Sequence, residues 1–248
     1  WYWEMTQKFK RFFLRLYFMF YASRVFARIF MPIRLSLEKF LPYKISFSQF
    51  GEDQYFKKFE TKQGTYVEIG CNHPVLASNS FRLYLKGWTG LVVDGNALYK
   101  KFWNTARPKD IFINTLISAN NKKEMPFYEH YAGFVSTGVK DHADRFNSED
   151  FTLTYKDSKS INEVLAANHI HSIDVLFIDI EGMDYEVLSS LDLDLYKPKY
   201  ICIEDHEYPT TGNKSLSLIS KYLNQNDYFL DSMLSPSFIY KQSNAHVI

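Results

Sequence analysis

Two groups of carboxylates are the residues here whose types and spacing can do chemistry. "FIDIEGMD" carries Asp179, Glu181 and Asp184 at the end of one apolar run, and "CIEDHE" carries Glu204, Asp205, His206 and Glu207 at the end of the next. Like charges drawn together raise one another's pKa or call for a cation. Oxygen donors from two strand tips suit Mg2+ or another divalent cation such as Ca2+, and Asp179, Glu204 and Asp205 are the candidate ligands. The opposing reading is that several of these acids face solvent or cap helices, since "EGMD" has the charge that a helix N-terminus favours. His206, and His73 in "YVEIGCNHPVLASNSF" (residues 66–81), titrate in the range of a general base. With Asp179 they are the candidate catalytic groups. His130 and His142, in a polar insertion, rank behind them, and plain surface exposure is the competing reading for any of these histidines.

The elements that must position these groups show as short apolar runs: "TYVEIG" (65–70), "GLVVDG" (90–95), "IFINTLIS" (111–118), "IDVLFIDI" (173–180) and "KYICIED" (199–205). Near-continuous apolar strands separated by stretches that can hold helices predict an α/β fold with a parallel sheet covered on both faces. Near the C-terminus "YFLDSM" and "SFIYKQ" are separated only by "LSP", which permits an antiparallel hairpin and forbids a crossover. Five parallel strands and a terminal antiparallel hairpin predict the mostly parallel, Rossmann-like sheet of a class I methyltransferase. A dehydrogenase domain would continue with parallel units. Residues 119–160 interrupt the rhythm and are too long for a bare loop. "MPFYEH" reads as an extra strand, and the rest as an insertion shaping the acceptor site.

In open α/β sheets ligands bind beyond the carboxyl ends of the strands. Gly70 follows the first strand and lets the chain turn and a ligand approach. Glu68 lies beside it, and Asp94 ends the second strand 24 residues later, where an acid meets ribose hydroxyls. A dinucleotide pyrophosphate would need two or three glycines at this turn. S-adenosyl-L-methionine has no phosphate, and one glycine with two acids suits it better. The competing reading is an ordinary turn with a solvated aspartate.

Taken in order, "SQFGEDQYF" (48–56), "YVEIGCNHPVLASNSF", "LKGWTGLVVDGN" (85–96), "RPKDIFINTLIS" (107–118) and "IDVLFIDIEGMDYEVLSSLD" (173–192) resemble the motifs of FkbM-family S-adenosylmethionine-dependent methyltransferases, over about residues 47–205. The resemblance implies methyl transfer to oxygen, on sugars or on polyketide-type natural products. It implies cofactor contacts at Glu68, Gly70, Asn79, Asp94 and Asp179, and adds Gln49 and Glu52 from a segment that closes over the cofactor. It also makes a divalent metal at the strand-end acids a fair expectation. One departure is "VVDGN", where the family has Glu followed by Pro; the shorter Asp94 can still accept from a ribose.

The chain has 248 residues and a net charge of +1, but residues 1–44 alone carry +7. This defines a basic, aromatic arm (1–42) ahead of the methyltransferase domain (43–248). Cations at Lys8, Arg11, Arg15, Arg24 and Arg28 recur at helical spacing. The longest charge-free run, 16–23, is eight residues, far short of the roughly 20 that span a bilayer. Three readings stay open: an amphipathic helix on an anionic membrane, a helix packed on the body or on a second copy in an oligomer, and a nucleic-acid arm. The rest of the chain has no nucleic-acid module, so no nucleic-acid partner is expected. Residues 1–40 are expected to be dispensable for the chemistry. Two cysteines, Cys71 and Cys202, make no disulfide framework, which favours a cytoplasmic setting, with the arm peripheral to the inner face of a membrane. The chain begins at Trp1, as an excerpt of a longer one would. The expected activity is O-methyl transfer to a glycan or glycolipid hydroxyl. A polyketide acceptor and a membrane-associated nucleotide-binding scaffold without catalysis are the alternatives. A glycosyltransferase reading rests only on "DLD" (192–194), which does not end a strand.

Overall fold

A strand buried on both faces leaves none to water, and the sheet is built around three such strands, 66–69, 175–178 and 200–204. The computed structural model describes residues 45–59, 63–208 and 217–244, with single positions between 13 and 33. In chain order the elements are α1 (Glu52–Tyr55), β1 (Thr65–Ile69), α2 (Phe81–Leu85), β2 (Thr89–Asp94), α3 (Lys100–Ala106), β3 (Ile111–Asn114), β4 (Leu116–Ser118) and β5 (Lys122–His130). There follow α4 (Lys140–Ala143), β6 (Phe151–Ser160), α5 (Ile161–Ala167), β7 (Val175–Ile178), α6 (Asp184–Ser190), α7 (Leu193–Tyr196), β8 (Tyr200–Glu204), α8 (Leu218–Gln225), β9 (Tyr228–Leu234) and β10 (Ser237–Gln242).

Seven strands form one sheet in the order β3-β2-β1-β7-β8-β10-β9. The first five are mutually parallel, and β10 runs antiparallel between β8 and β9. This is the predicted sheet with its terminal hairpin. Alternation along the strands sends Val67, Ile69, Leu176 and Ile178 to one face, under Val164 and Leu165 of α5 and Val187 and Leu188 of α6. Tyr66, Val175 and Phe177 go to the other, under Phe56, Leu83, Trp88 and Trp103. Each fully buried aliphatic or Phe side chain contributes about 1.5–3 kcal/mol, so the central strands anchor the tips where the site lies. Cys71 and Cys202 are buried free thiols.

One expectation is corrected. "IFINTLIS" is two strands, not one. Thr115 N donates to Asp94 O at 3.1 Å, and the chain then leaves the large sheet. β4 pairs in parallel with β6, which pairs antiparallel with β5, in a second sheet ordered β4-β6-β5. The insertion therefore holds the predicted extra strand as part of β5 and a second, polar strand, β6, that the apolar pattern did not announce. Part of the arm packs on the body, one of the readings left open for it. Phe26 and Met31 are buried against Ile45, Phe47, Val75 and Phe81, whereas Phe13, Leu16, Tyr17, Met19 and Phe20 are exposed. The predicted cationic face lies outside the described residues, among which no helix is long and apolar enough to cross a membrane.

Candidate active site

β1 ends at Ile69, and the chain turns at Gly70 with φ 84°. Gly70 N and Cys71 N both donate to Val93 O, at 2.9 and 3.1 Å. A Cβ on Gly70 would lie 1.7 Å from the Asp179 carbonyl oxygen, so this corner tolerates only glycine. At the tip of β2, Asp94 Oδ2 accepts from Asn72 N at 2.8 Å and Oδ1 from Asn96 N at 2.7 Å. Desolvation pushes the Asp94 carboxyl up to about 6, against those two backbone donors. A cleft with about 780 Å³ of empty space, its open mouth included, runs along these tips. Gln49, Gly70, Asn79, Asp94 and Asp179 line it, so five of the seven predicted cofactor residues share one cleft. The insertion supplies the facing wall through Phe127, Phe134, Ser136 and Thr137.

Glu68 and Glu52 do not line this cleft. Strand alternation puts Glu68 on the Tyr66 face, where it accepts from Ser80 Oγ and is 3% exposed. Burial pushes its carboxyl up to about 7, with Arg107 pulling the other way. Arg107, fully buried, donates to Asp110 at 2.6 Å, to Tyr66 OH and Ser80 Oγ at 2.7 Å, and to Ser78 Oγ at 3.1 Å. This network braces the 70–80 turn from behind. The sequence reading missed Arg107, whose signal was the Arg-x-x-Asp spacing to Asp110. Glu52 is buried too, accepting from Ser237 Oγ at 2.6 Å and Phe50 N at 3.0 Å. It ties the segment carrying Gln49 to β10. His73 does not line the cleft and is not a surface residue. It is fully buried, and its Nδ1 accepts from Val75 N at 3.1 Å and Leu76 N at 3.0 Å.

The tips of β7 and β8 adjoin, with Ile178 opposite Ile203. Glu181, Glu204 and His206 each bring a donor atom within 4.8 Å of the other two. Burial, then the neighbouring acids, push Glu204 up to about 8 and Glu181 up to about 7. Burial and Glu204 likewise hold Asp179 well above the ordinary carboxylate range. The convergence of acids was expected, but its membership differs. Asp205 turns away from the rim: Oδ1 accepts from Glu207 N at 3.1 Å, and Oδ2 from Ser217 Oγ. Asp184 accepts from Ile180 N and Gly182 N, both at 3.0 Å, so it stands in the first turn of α6 and holds the turn before it. His142, ranked low from sequence, is the histidine brought in by the insertion, with Nε2 2.8 Å from Glu181 Oε2. His130 instead packs against Phe151. Asp192 of "DLD" caps α7 by accepting from Leu195 N at 2.9 Å, so the triplet is a helix start.

Residues 68–230 match the family model described as methyltransferase FkbM domain. The chain belongs to the FkbM methyltransferase family. No curated protein matches it. Among solved structures, a chain of a fibrillarin/Nop5p complex is similar at 11% identity, over 77% of this chain and 78% of that one, with a TM-score of 0.40. The matched span of this FkbM-family chain runs from β1 into β9. It therefore contains the corner, the insertion wall and the acid–histidine rim, while Gln49 and Glu52 lie just before it.

Proposed function

We propose that this protein transfers a methyl group from S-adenosyl-L-methionine to a hydroxyl oxygen of a sugar in a glycan or glycolipid. One observation carries the reading: a single cleft runs from the one-glycine cofactor corner to Asp179 and Glu181, beside which Glu204 and His206 lie. At the corner, Asp94 is held by two backbone donors and keeps lone pairs for the ribose hydroxyls. Gly70 lets the cofactor approach the backbone, Asn79 offers an amide to its carboxylate, and Asp179 offers an acceptor to its ammonium. S-adenosyl-L-methionine supplies a sulfonium-borne methyl group, whose bond electrons return to sulfur as the carbon–oxygen bond forms. The chain's share is to hold the acceptor oxygen in line and receive its proton. Glu204 and His206, 3.2 Å apart, can take that proton between them. Phe127 and Phe134 beside Ser136 and Thr137 give the mix of aromatic faces and hydroxyls that a sugar ring takes. Calorimetry with S-adenosyl-L-methionine and with a UDP-sugar tests the reading, followed by label transfer to a glycan panel. Binding of the first ligand alone, with label on a carbohydrate oxygen, supports it; binding of the UDP-sugar alone overturns it.

We also propose that the arm rests on an anionic membrane surface. The exposed side chains of Phe13, Tyr17 and Phe20, set among the sequence's cations, support this. Because Phe26 and Met31 cover the body, the informative variant is not a deletion but F13S/Y17S/F20S. Its co-sedimentation with phosphatidylserine vesicles should be lost while turnover on a soluble acceptor is kept. Unchanged co-sedimentation would refute the proposal.

A further inference from the structure

Four side chains beside the Glu181 end of the cleft come from three separate segments. Glu181 lies in the turn after β7, Glu204 and His206 at the tip of β8, and His142 on α4 of the insertion. The donor atoms of Glu181, Glu204 and His206 lie within 4.8 Å of one another. His142 is 6% exposed, and its Nε2 points at Glu181 Oε2 from 2.8 Å. Yet that buried nitrogen makes no hydrogen bond of proper geometry. A buried imidazole nitrogen aimed at a carboxylate without bonding it is placed as a second ligand would be. Among the described residues, the ion-pair partners of Glu181 and Glu204 are these two histidines and no lysine or arginine; Arg145 bears on Glu181 only at longer range.

We propose that Glu181, Glu204, His206 and His142 form a binding site for one divalent transition-metal ion. Donors about 2.0–2.2 Å from one ion lie within roughly 4.4 Å of each other, so small side-chain rotations close Glu181, Glu204 and His206 on one ion, and His142 joins them from the Glu181 side by a larger rotation. Two imidazoles with two carboxylates favour Zn2+, Mn2+ or Co2+ over the all-oxygen preference of Mg2+ and Ca2+. Asp205, satisfied by Ser217 and the Glu207 N–H, is outside the set. The consequence for the chemistry rests on the methyl-transfer reading above. A cation here would polarise the acceptor hydroxyl, and His206 would serve as a ligand rather than as the base.

The test uses the full chain, stripped with EDTA and dialysed. Titration with Zn2+, Mn2+ and Mg2+ by calorimetry, and with Co2+ by visible absorption, should show one transition-metal ion per chain, d–d bands with Co2+, and weaker Mg2+. E204Q and H142A should each weaken Mn2+ by at least about tenfold. E204Q keeps the side-chain shape, so it remains informative if H142A fails to fold. S-adenosyl-L-methionine affinity, measured alongside, should be the same in E204Q and the native chain. No stoichiometric binding by the native chain, or binding undiminished in E204Q, overturns the site. Full methyl transfer in chelator with no metal bound would overturn the site and leave the methyltransferase reading standing. Metal bound without any S-adenosyl-L-methionine affinity would do the reverse.

Discussion

The cofactor corner and the acid–histidine rim sit on the same edge of one sheet, yet they treat buried charge in opposite ways. At the corner each charged group finds its partner within the chain: Asp94 in two backbone N–H groups, Glu68 in Ser80, Arg107 in Asp110 and Tyr66. At the rim Glu181 and Glu204 face each other and two histidines. A buried carboxylate without a compensating partner costs several kcal/mol. The corner is thus finished by the fold, whereas the rim is finished only by protons or by a ligand. A site for a large cofactor works best preformed, and a site for a proton or cation works best hungry.

The largest effect should come from breaking the corner's own pairing. Arg107→Ala leaves Asp110 buried without its guanidinium, and breaking a buried pair from one side costs about 3–5 kcal/mol. Urea denaturation should show that loss. A change under about 1 kcal/mol would mean that the corner is no more internally satisfied than the rim.

Glu68 sharpens the contrast through pH. Its carboxyl moves from the ordinary value of 4.5 up to about 7 because burial outweighs Arg107. The native state therefore holds this proton more tightly than the unfolded chain between about pH 4.5 and 7. Stability contributed by Glu68 is full below that window and falls as pH rises through it. The shift corresponds to on the order of 3 kcal/mol. Glu68→Gln should flatten this part of the stability–pH curve and raise the denaturation midpoint at pH 8 relative to the native chain. An unchanged pH slope would show that Glu68 does not carry it.

These cases also say what the sequence could disclose. β1, β2, β7 and β8 were legible because their runs are nearly continuously apolar and rich in Val and Ile. Gly70 and Asp94 were legible as cleft residues because strand tips dictate where ligands go, whereas Asn79 came only from the resemblance to the family. Glu68 was misplaced because proximity to the turn was weighed above the two-residue alternation that sets it beside Tyr66. The division of "IFINTLIS" at Thr115 depends on a bond to the Asp94 carbonyl, which no local pattern encodes. β6 hid because "FTLTYKDSKS" is polar and mostly exposed or half-buried, so no apolar run marks it. At the rim, the expectation that acids converge came from strand order and was right. Which acids converge was decided by Ser217 capturing Asp205 and by α4 delivering His142, both contacts between segments distant in sequence.

Asp94→Ala should have a smaller effect than the first two changes, and on binding rather than folding. Losing a hydrogen bond to a charged group costs about 1.5–3 kcal/mol. Calorimetry should show that loss for S-adenosyl-L-methionine, with metal affinity at the rim unchanged. Unaltered cofactor affinity would remove Asp94 from the site.

The smallest effect is expected at Asp205, and it separates the rim's members from its neighbours. Asp205 is as buried as Glu204, at 4% against 7% exposure, and adjoins it in sequence. Burial and position therefore do not distinguish the two; their partners do. Asp205 accepts from Glu207 N and Ser217 Oγ, so it is satisfied as the corner's groups are. Asp205→Asn keeps one carbonyl oxygen as acceptor and obliges Ser217 to reorient, a cost of about 0.5–1.5 kcal/mol in stability, the worth of one ordinary hydrogen bond. Metal affinity and methyl transfer should match the native chain. Glu204→Gln, one residue away, should reverse the pattern, with near-native stability and weakened metal. If Asp205→Asn instead weakens Mn2+ as much as Glu204→Gln does, Asp205 swings into the rim when the ion binds, and the line between finished and unfinished charge does not run between these two residues.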